Sequence, residues 1–202
     1  MTRLVPWGLV FDPDKKLDVF TFSSGAGAAH YVGDVNERNY HNFVQQQIIG
    51  RVPGWKGGTE YVPVLYKNLE LFGWIKPTTV APAEKGWLAS LKEGIFGAKP
   101  EGQPLTTKRK SLVLFNTDGE NTDQRETERL FRDMAQRGDG MYVIFLAVSG
   151  SRNSFPFLED LANRYSNVST CVISDVASWV EQEDEDINAA LIAPKLIEWF
   201  KA

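Results

Sequence analysis

The run MYVIFLAV, Met141 to Val148, constrains this chain more than any other stretch. Side chains of a strand point alternately to its two faces, so a half-buried strand alternates apolar and polar residues. This run is apolar at odd and even positions alike, and it has no face to offer water. Such strands belong in the middle of a parallel sheet with helices on both sides.

The flanking sequence supplies that setting. Leu17–Phe22 (LDVFTF) is rich in β-branched and aromatic residues, lies between Asp12-Pro13-Asp14 and Ser23-Ser24-Gly25, and predicts a strand. Ala29–Val35, Ser111–Asn116 and Val168–Ser174 predict three more. A helix is expected from Asn36 as N-cap, with Tyr40, Phe43, Val44 and Ile48 at helical spacing. Further helices are expected over Tyr61–Phe72, Asp123–Arg137 with its stop at Gly138, Phe155–Tyr165, Val176–Val180, and Ile187–Phe200 with a break at Pro194. Strands alternating with helices indicate a Rossmann-like, three-layer α/β fold, a mostly parallel sheet covered on both faces.

Gly73–Lys110 is dense in proline and glycine and predicts an insertion loop, with one short helix at Trp87–Lys92. Trp87, Ile95 and Phe96 either form a contact surface there or fold onto the body. A length of 202 residues, 43% hydrophobic and 24% charged, suits one domain over 1–202 carrying that insertion.

The net charge of −4 argues against a general nucleic-acid binder, for which Lys and Arg would cluster. Lys108-Arg109-Lys110 is the one local exception. Cys171, the only cysteine, lies in the apolar run STCVIS and reads as a buried strand thiol. No apolar run approaches the roughly 18 residues of a membrane helix. MTRLVPWGLVF lacks a signal-cleavage pattern, so the expectation is a soluble cytoplasmic protein.

Ligands of such sheets gather at the carboxyl ends of the strands. Three loops qualify: FSSGAG, WKGGTE and NTDGENTD. They offer oxygen ligands suited to Mg²⁺ or Mn²⁺, namely the Asp118 carboxylate, the Thr59 and Thr117 hydroxyls and the Asn116 amide. Gly57 and Gly58 would let the backbone approach an ion. The bland readings stand beside these. Asp118-Gly119 is also a turn signal. Thr59 is also a helix N-cap, and Asp123 with Glu126 also a capping box. Glu181 to Asp186 reads as a solvated helix end or loop, or as a face for a basic partner. Trp199-Phe200 is expected to pin the last helix.

The order FDPDKKLDVFTFS, GGTEYVPVL, LVLFNTDGENTD, then VIFLAVSG and FPFLEDLANRYSNV, resembles a von Willebrand factor A (vWA) domain of the tellurite-resistance TerF-like group. The resemblance implies that Thr59 and Asp118 match the second and third loops of the family's metal-ion-dependent adhesion site. There Mg²⁺ is completed by an acidic residue of the partner, with Thr117 and Glu120 beside it as partner contacts. The family's first motif, Asp-x-Ser-x-Ser, is not found. The chain opens with MTRLVPWGLVFDPD, which resembles the end of the helix after that motif, so the first central strand is expected to be missing. Ser149-Gly150-Ser151 has the Ser-x-Ser spacing, but Ala147 stands where the Asp would be.

Two functions follow. One is a non-enzymatic binding or scaffold module with a partial metal site, whose protein partner donates a strand or an acidic residue, in a bacterial stress-response or phage (virion) assembly. The other is a Mg²⁺-dependent phosphoryl-transfer or hydrolytic enzyme using Asp118, Glu120 and Asp123. No Walker loop or nucleophile elbow is present, and His30 and His41, the only histidines, have no partner at catalytic spacing.

Overall fold

The apolar strand lies where its composition requires. In the computed structural model, which describes residues 4–25, 28–55, 57–76, 108–150 and 154–202, Met141–Val148 is the middle strand of a three-stranded parallel sheet. Residues Met141 to Ala147 are at most 1% exposed. The chain is a mixed α/β protein. It divides into two units, one reaching to Leu71 and including Lys76, the other formed by Phe72–Ile75 and the described residues from Lys108 onward.

The second unit holds the parallel sheet, in the order β3 (Ser111–Thr117), β4 (Met141–Val148), β5 (Val168–Ile173). The register pairs Thr117 with Ala147 and Val148 with Ile173, so the three carboxyl ends are nearly level. Helix α3 (Gln124–Arg137) follows β3 and buries Thr127, Leu130, Phe131 and Met134, a spacing that makes one face of a helix. It stops at Gly138, whose φ of 67° is the left-handed conformation that glycine adopts without a Cβ clash. Phe145 anchors the core between Phe115 (ring centroids 5.1 Å apart) and Phe131 (6.1 Å).

Helix α4 is Pro156–Arg164, and the expected last helix is two, α6 (Asp184–Leu191) and α7 (Pro194–Lys201), after α5 (Val176–Glu181). Pro194 opens α7, where its missing N–H costs nothing. Asp175 caps α5, accepting from the N–H groups of Ala177 and Ser178. The acidic run is exposed and supplies the first turn of α6, where negative charge favours the helix dipole. Trp199 packs on Tyr142 at 5.5 Å and Leu196 is fully buried, while Phe200 is 43% exposed. Cys171 is on β5 as expected, but it is half-buried rather than buried.

The expected insertion, with Trp87, Ile95 and Phe96, falls mainly on residues 77–107, outside those described. Its flanks are tied within the second unit. Arg109 N–H donates to Phe72 O (3.3 Å) and Trp74 Nε1 to Arg109 O (2.8 Å). A Cβ on Gly140 would come within 2.6 Å of the Trp74 ring, which explains a glycine there.

The first unit is built on helix α1 (Leu4–Phe11) and an antiparallel hairpin, β1 (Leu17–Thr21) with β2 (His30–Val35). Val5 and Leu9 of α1 pack with Val35 and Phe43, and Leu17, Val19 and Val32 close the cluster. Asn36 takes the expected N-cap position, but no full α-helix runs on from it. Asn36 Oδ1 accepts from Arg38 N–H (2.9 Å), and Asn39 Oδ1 accepts from Asn36 N–H (2.8 Å). These are the reciprocal bonds of a capping box, and Tyr40 N–H donates to Asn36 O (3.2 Å), so one capped turn starts at Asn36. Only a π-helical turn follows, Val44–Ile48, closed by Ile49 N–H to Val44 O at 3.0 Å. Helix α2 (Val62–Leu71) completes the unit.

Candidate functional site

The loop after β3 leaves the carboxyl edge of the parallel sheet, and its own side chains build its shape. Thr117 is 6% exposed; its Oγ1 donates to Gly119 O (2.8 Å) and accepts from Gly119 N–H (3.3 Å). Glu120 reaches the start of α4. Its Oε1 accepts from Phe157 N–H and its Oε2 from Gln124 Nε2, each at 3.4 Å. A carboxylate at a helix start satisfies an orphan donor and favours the dipole.

Behind them lies a buried relay that the sequence reading missed. Asn121 Nδ2 donates to Asp123 Oδ1 (2.5 Å) and Thr127 Oγ1 (2.8 Å), and Thr127 Oγ1 donates to Asp123 O (2.9 Å). Asn121 is 4% exposed and Thr127 fully buried, while Asn121 Oδ1 has no partner among the described residues. The Asn-x-Asp-x-x-x-Thr spacing was the available signal, since one helical turn brings Thr127 back over Asp123. Asp123 takes the N-cap position, but its side chain makes no capping hydrogen bond. The capping box expected with Glu126 is therefore replaced by this relay.

Asp118 differs from its neighbours. It is exposed and makes no hydrogen bond or ion pair among the described residues. Asn116, two residues before it, is exposed as well.

The other two loops meet each other in the first unit. Gly58 N–H donates to Ser24 Oγ (3.0 Å), and Ser23 Oγ donates to Ser24 O (3.2 Å). A Cβ on Gly57 would lie 2.9 Å from Gly54 O, and one on Gly58 2.8 Å from Ser24 Oγ. The glycines thus serve the approach of these two loops. Thr59 is half-buried three residues before α2, and Leu65 N–H donates to Tyr61 O at the start of that helix. Thr59 belongs to the first unit and Asp118 to the second.

His30 is half-buried in β2, and burial lowers its pKa. His41 is exposed against the Tyr40 ring, centroids 3.9 Å apart. Burial raises the pKa of the Cys171 thiol, away from a reactive thiolate. Ser151 lies outside the described residues, and Ala147 is a fully buried strand position. No helix among the described residues is long and apolar enough to cross a membrane. No protein-family model, curated protein or solved structure matches the chain.

Proposed function

We propose that the chain is a vWA-like, non-enzymatic binding or scaffold module that meets a protein partner through the loop carrying Asp118. One observation carries this reading. Asp118 is an exposed carboxylate at the carboxyl edge of a parallel sheet, with no internal partner among the described residues, on a loop whose shape is held by the side chains of Thr117, Glu120, Asn121 and Asp123. A rigid loop that leaves one charge free suits recognition, because little ordering entropy is lost on binding. β3 pairs with β4 alone among the described residues, which supports a partner that adds a strand.

The resemblance implies Mg²⁺, and the loop's donor set does not fit it as a resident ion. Glu120 is engaged at α4 and Asp123 with Asn121, which leaves Asp118 as the loop's one available carboxylate. No cluster of three His, Cys, Asp or Glu suited to a metal occurs among the described residues. The proposed contact is therefore direct, through Asp118.

The test is site-directed photo-crosslinking in the cells of origin. A photoreactive residue at position 118 is expected to capture one discrete partner. The same residue at Arg129, whose side chain is 72% exposed on α3, is expected not to. Equal labelling at both positions would sink the reading. So would a Mg²⁺-dependent hydrolysis of a phosphate ester that disappears in Asp118→Ala, which is the enzyme's signature.

A further inference from the structure

Three backbone irregularities surround one cavity in the first unit. The β1–β2 ladder shifts register between Val19 and Phe20. Gly33 adopts φ 138°, with nothing within 4 Å of where a Cβ would stand, so its backbone conformation and not crowding calls for glycine. Val44–Ile48 is π-helical. Bulges, π-turns and unusual dihedrals concentrate at functional sites because they re-aim side chains at a cost in stability. Here they border a cavity of about 220 Å³ lined by Val32, Gly33, Asp34, Phe43, Gln46 and Gln47.

The lining carries one carboxylate, Asp34, among the side-chain amides of Asn39, Gln46 and Gln47. Asp34 lies directly across the ladder from Asp18. Like charges in directly opposed positions destabilise a hairpin. Neither carboxylate has an ion-pair partner among the described residues. Asp34 accepts one hydrogen bond, from Asn36 Nδ2 at 3.3 Å, and Tyr31 OH donates to Asp18 at 2.9 Å. Gln46 and Gln47 are exposed, and their side-chain amides make no hydrogen bond among the described residues. Asn39, the remaining lining residue, is spent on Asp34 O and Asn36 N–H.

We propose that this cavity receives the guanidinium of an arginine side chain from a protein partner. Its volume falls below the roughly 300 Å³ at which small-molecule clefts begin, so it suits one side chain. The planar fork of arginine presents five donors, which match the Asp34 carboxylate and the carbonyl oxygens of Gln46 and Gln47. Val32 and Phe43 supply apolar wall for its methylene stem. The added positive charge offsets the repulsion between Asp18 and Asp34. This site is independent of Asp118.

The experiment is an NMR titration of the full chain with N-acetyl-arginine methylamide, with the lysine and citrulline counterparts as probes. Arginine is expected to give saturable shifts at Gly33, Asp34, Gln46 and Gln47, with a Kd near about 1 mM, as befits a single side chain. Lysine should bind several-fold more weakly, and citrulline, which has the shape without the charge, should give no saturable shift. Asp34→Asn should weaken arginine binding about tenfold or more. If that variant unfolds, the double variant Gln46→Ala/Gln47→Ala, at exposed positions, takes its place and should lose affinity severalfold. No saturable shift at these residues, equal binding of citrulline or lysine, or unchanged affinity in the folded variant would each overturn the proposal.

Discussion

β4 is buried from Met141 to Ala147, whereas β2 is half-buried from His30 to Asp34 and reaches full burial only at Val35. The surroundings differ in the same way. Around β4 the ladder is regular, the helix after β3 ends on a left-handed glycine, and the aromatic rings interlock. Around β2 stand a bulge, a glycine at φ 138°, opposed carboxylates and a π-turn. Where apolar burial is large, it outweighs local polar preferences and the backbone stays regular. Where burial is small, side-chain hydrogen bonds and charges decide the path of the chain.

The largest effect expected from this contrast is at Phe145, fully buried between Phe115 and Phe131. Phe145→Ala should cost about 3–5 kcal/mol, the transfer term plus the cavity left behind. Phe20→Ala, at a half-buried position of β1 against Tyr31, should cost less than about half of that. Urea denaturation with residue-resolved hydrogen exchange reads the two sheets separately. Equal costs would break the comparison.

The two glycine-bearing loops sharpen it. Gly57→Ala would set a Cβ 2.9 Å from Gly54 O and 3.2 Å from Ser23 Cβ. Backbone cannot yield there without opening the turn, so a loss of about 1–3 kcal/mol is expected. Gly119→Ala meets nothing within 4 Å and needs no left-handed φ, so it should stay within about 0.5 kcal/mol of wild type. Thermal unfolding of the two variants checks both. A costly Gly119→Ala would mean that the loop of Asp118 is tighter than its hydrogen bonds indicate.

The same contrast explains what the sequence revealed. MYVIFLAV announces a doubly covered strand, and the Leu130, Phe131, Met134 spacing with Gly138 announces a helix and its end, because burial and glycine conformation are local rules obeyed there. The segment after Asn36 has helical spacing and a capped first turn too, yet it runs on only as the π-helical turn at Val44–Ile48. At the candidate site, the turn at Asp118-Gly119 was legible as a turn. The relay of Asn121, Asp123 and Thr127, and the meeting of Gly58 with Ser24, join residues whose partnership depends on how the chain packs. A glycine pair that looks suited to an ion suits equally well a serine across the loop, and the sequence carries no mark that separates the two.

The smallest effect is the pH response of the hairpin, and its sign is fixed by Asp18. Its surroundings strip water from the carboxyl and raise its pKa above the ordinary 3.8. Asp34 and Asp14 push in the same direction, while the Tyr31 hydroxyl and Lys16 oppose them. The folded chain therefore holds this proton to higher pH than the unfolded chain does. The resulting stability is fully present below 3.8 and is lost as pH rises through the raised value. His30, whose pKa is lowered by burial, acts oppositely: its contribution is present above 6.5 and is lost as pH falls through the lowered value. Asp18→Asn keeps the shape of the protonated acid and removes its titration. Hydrogen exchange of the β1 and β2 amides, followed from acidic to neutral pH, should show the variant matching wild type in acid and exceeding it at neutrality, with the His30 limb unchanged. A variant no more protected than wild type at neutral pH would mean that the opposed carboxylates already have a counter-charge, and the cavity beside Asp34 would lose its electrostatic reason to take a cation.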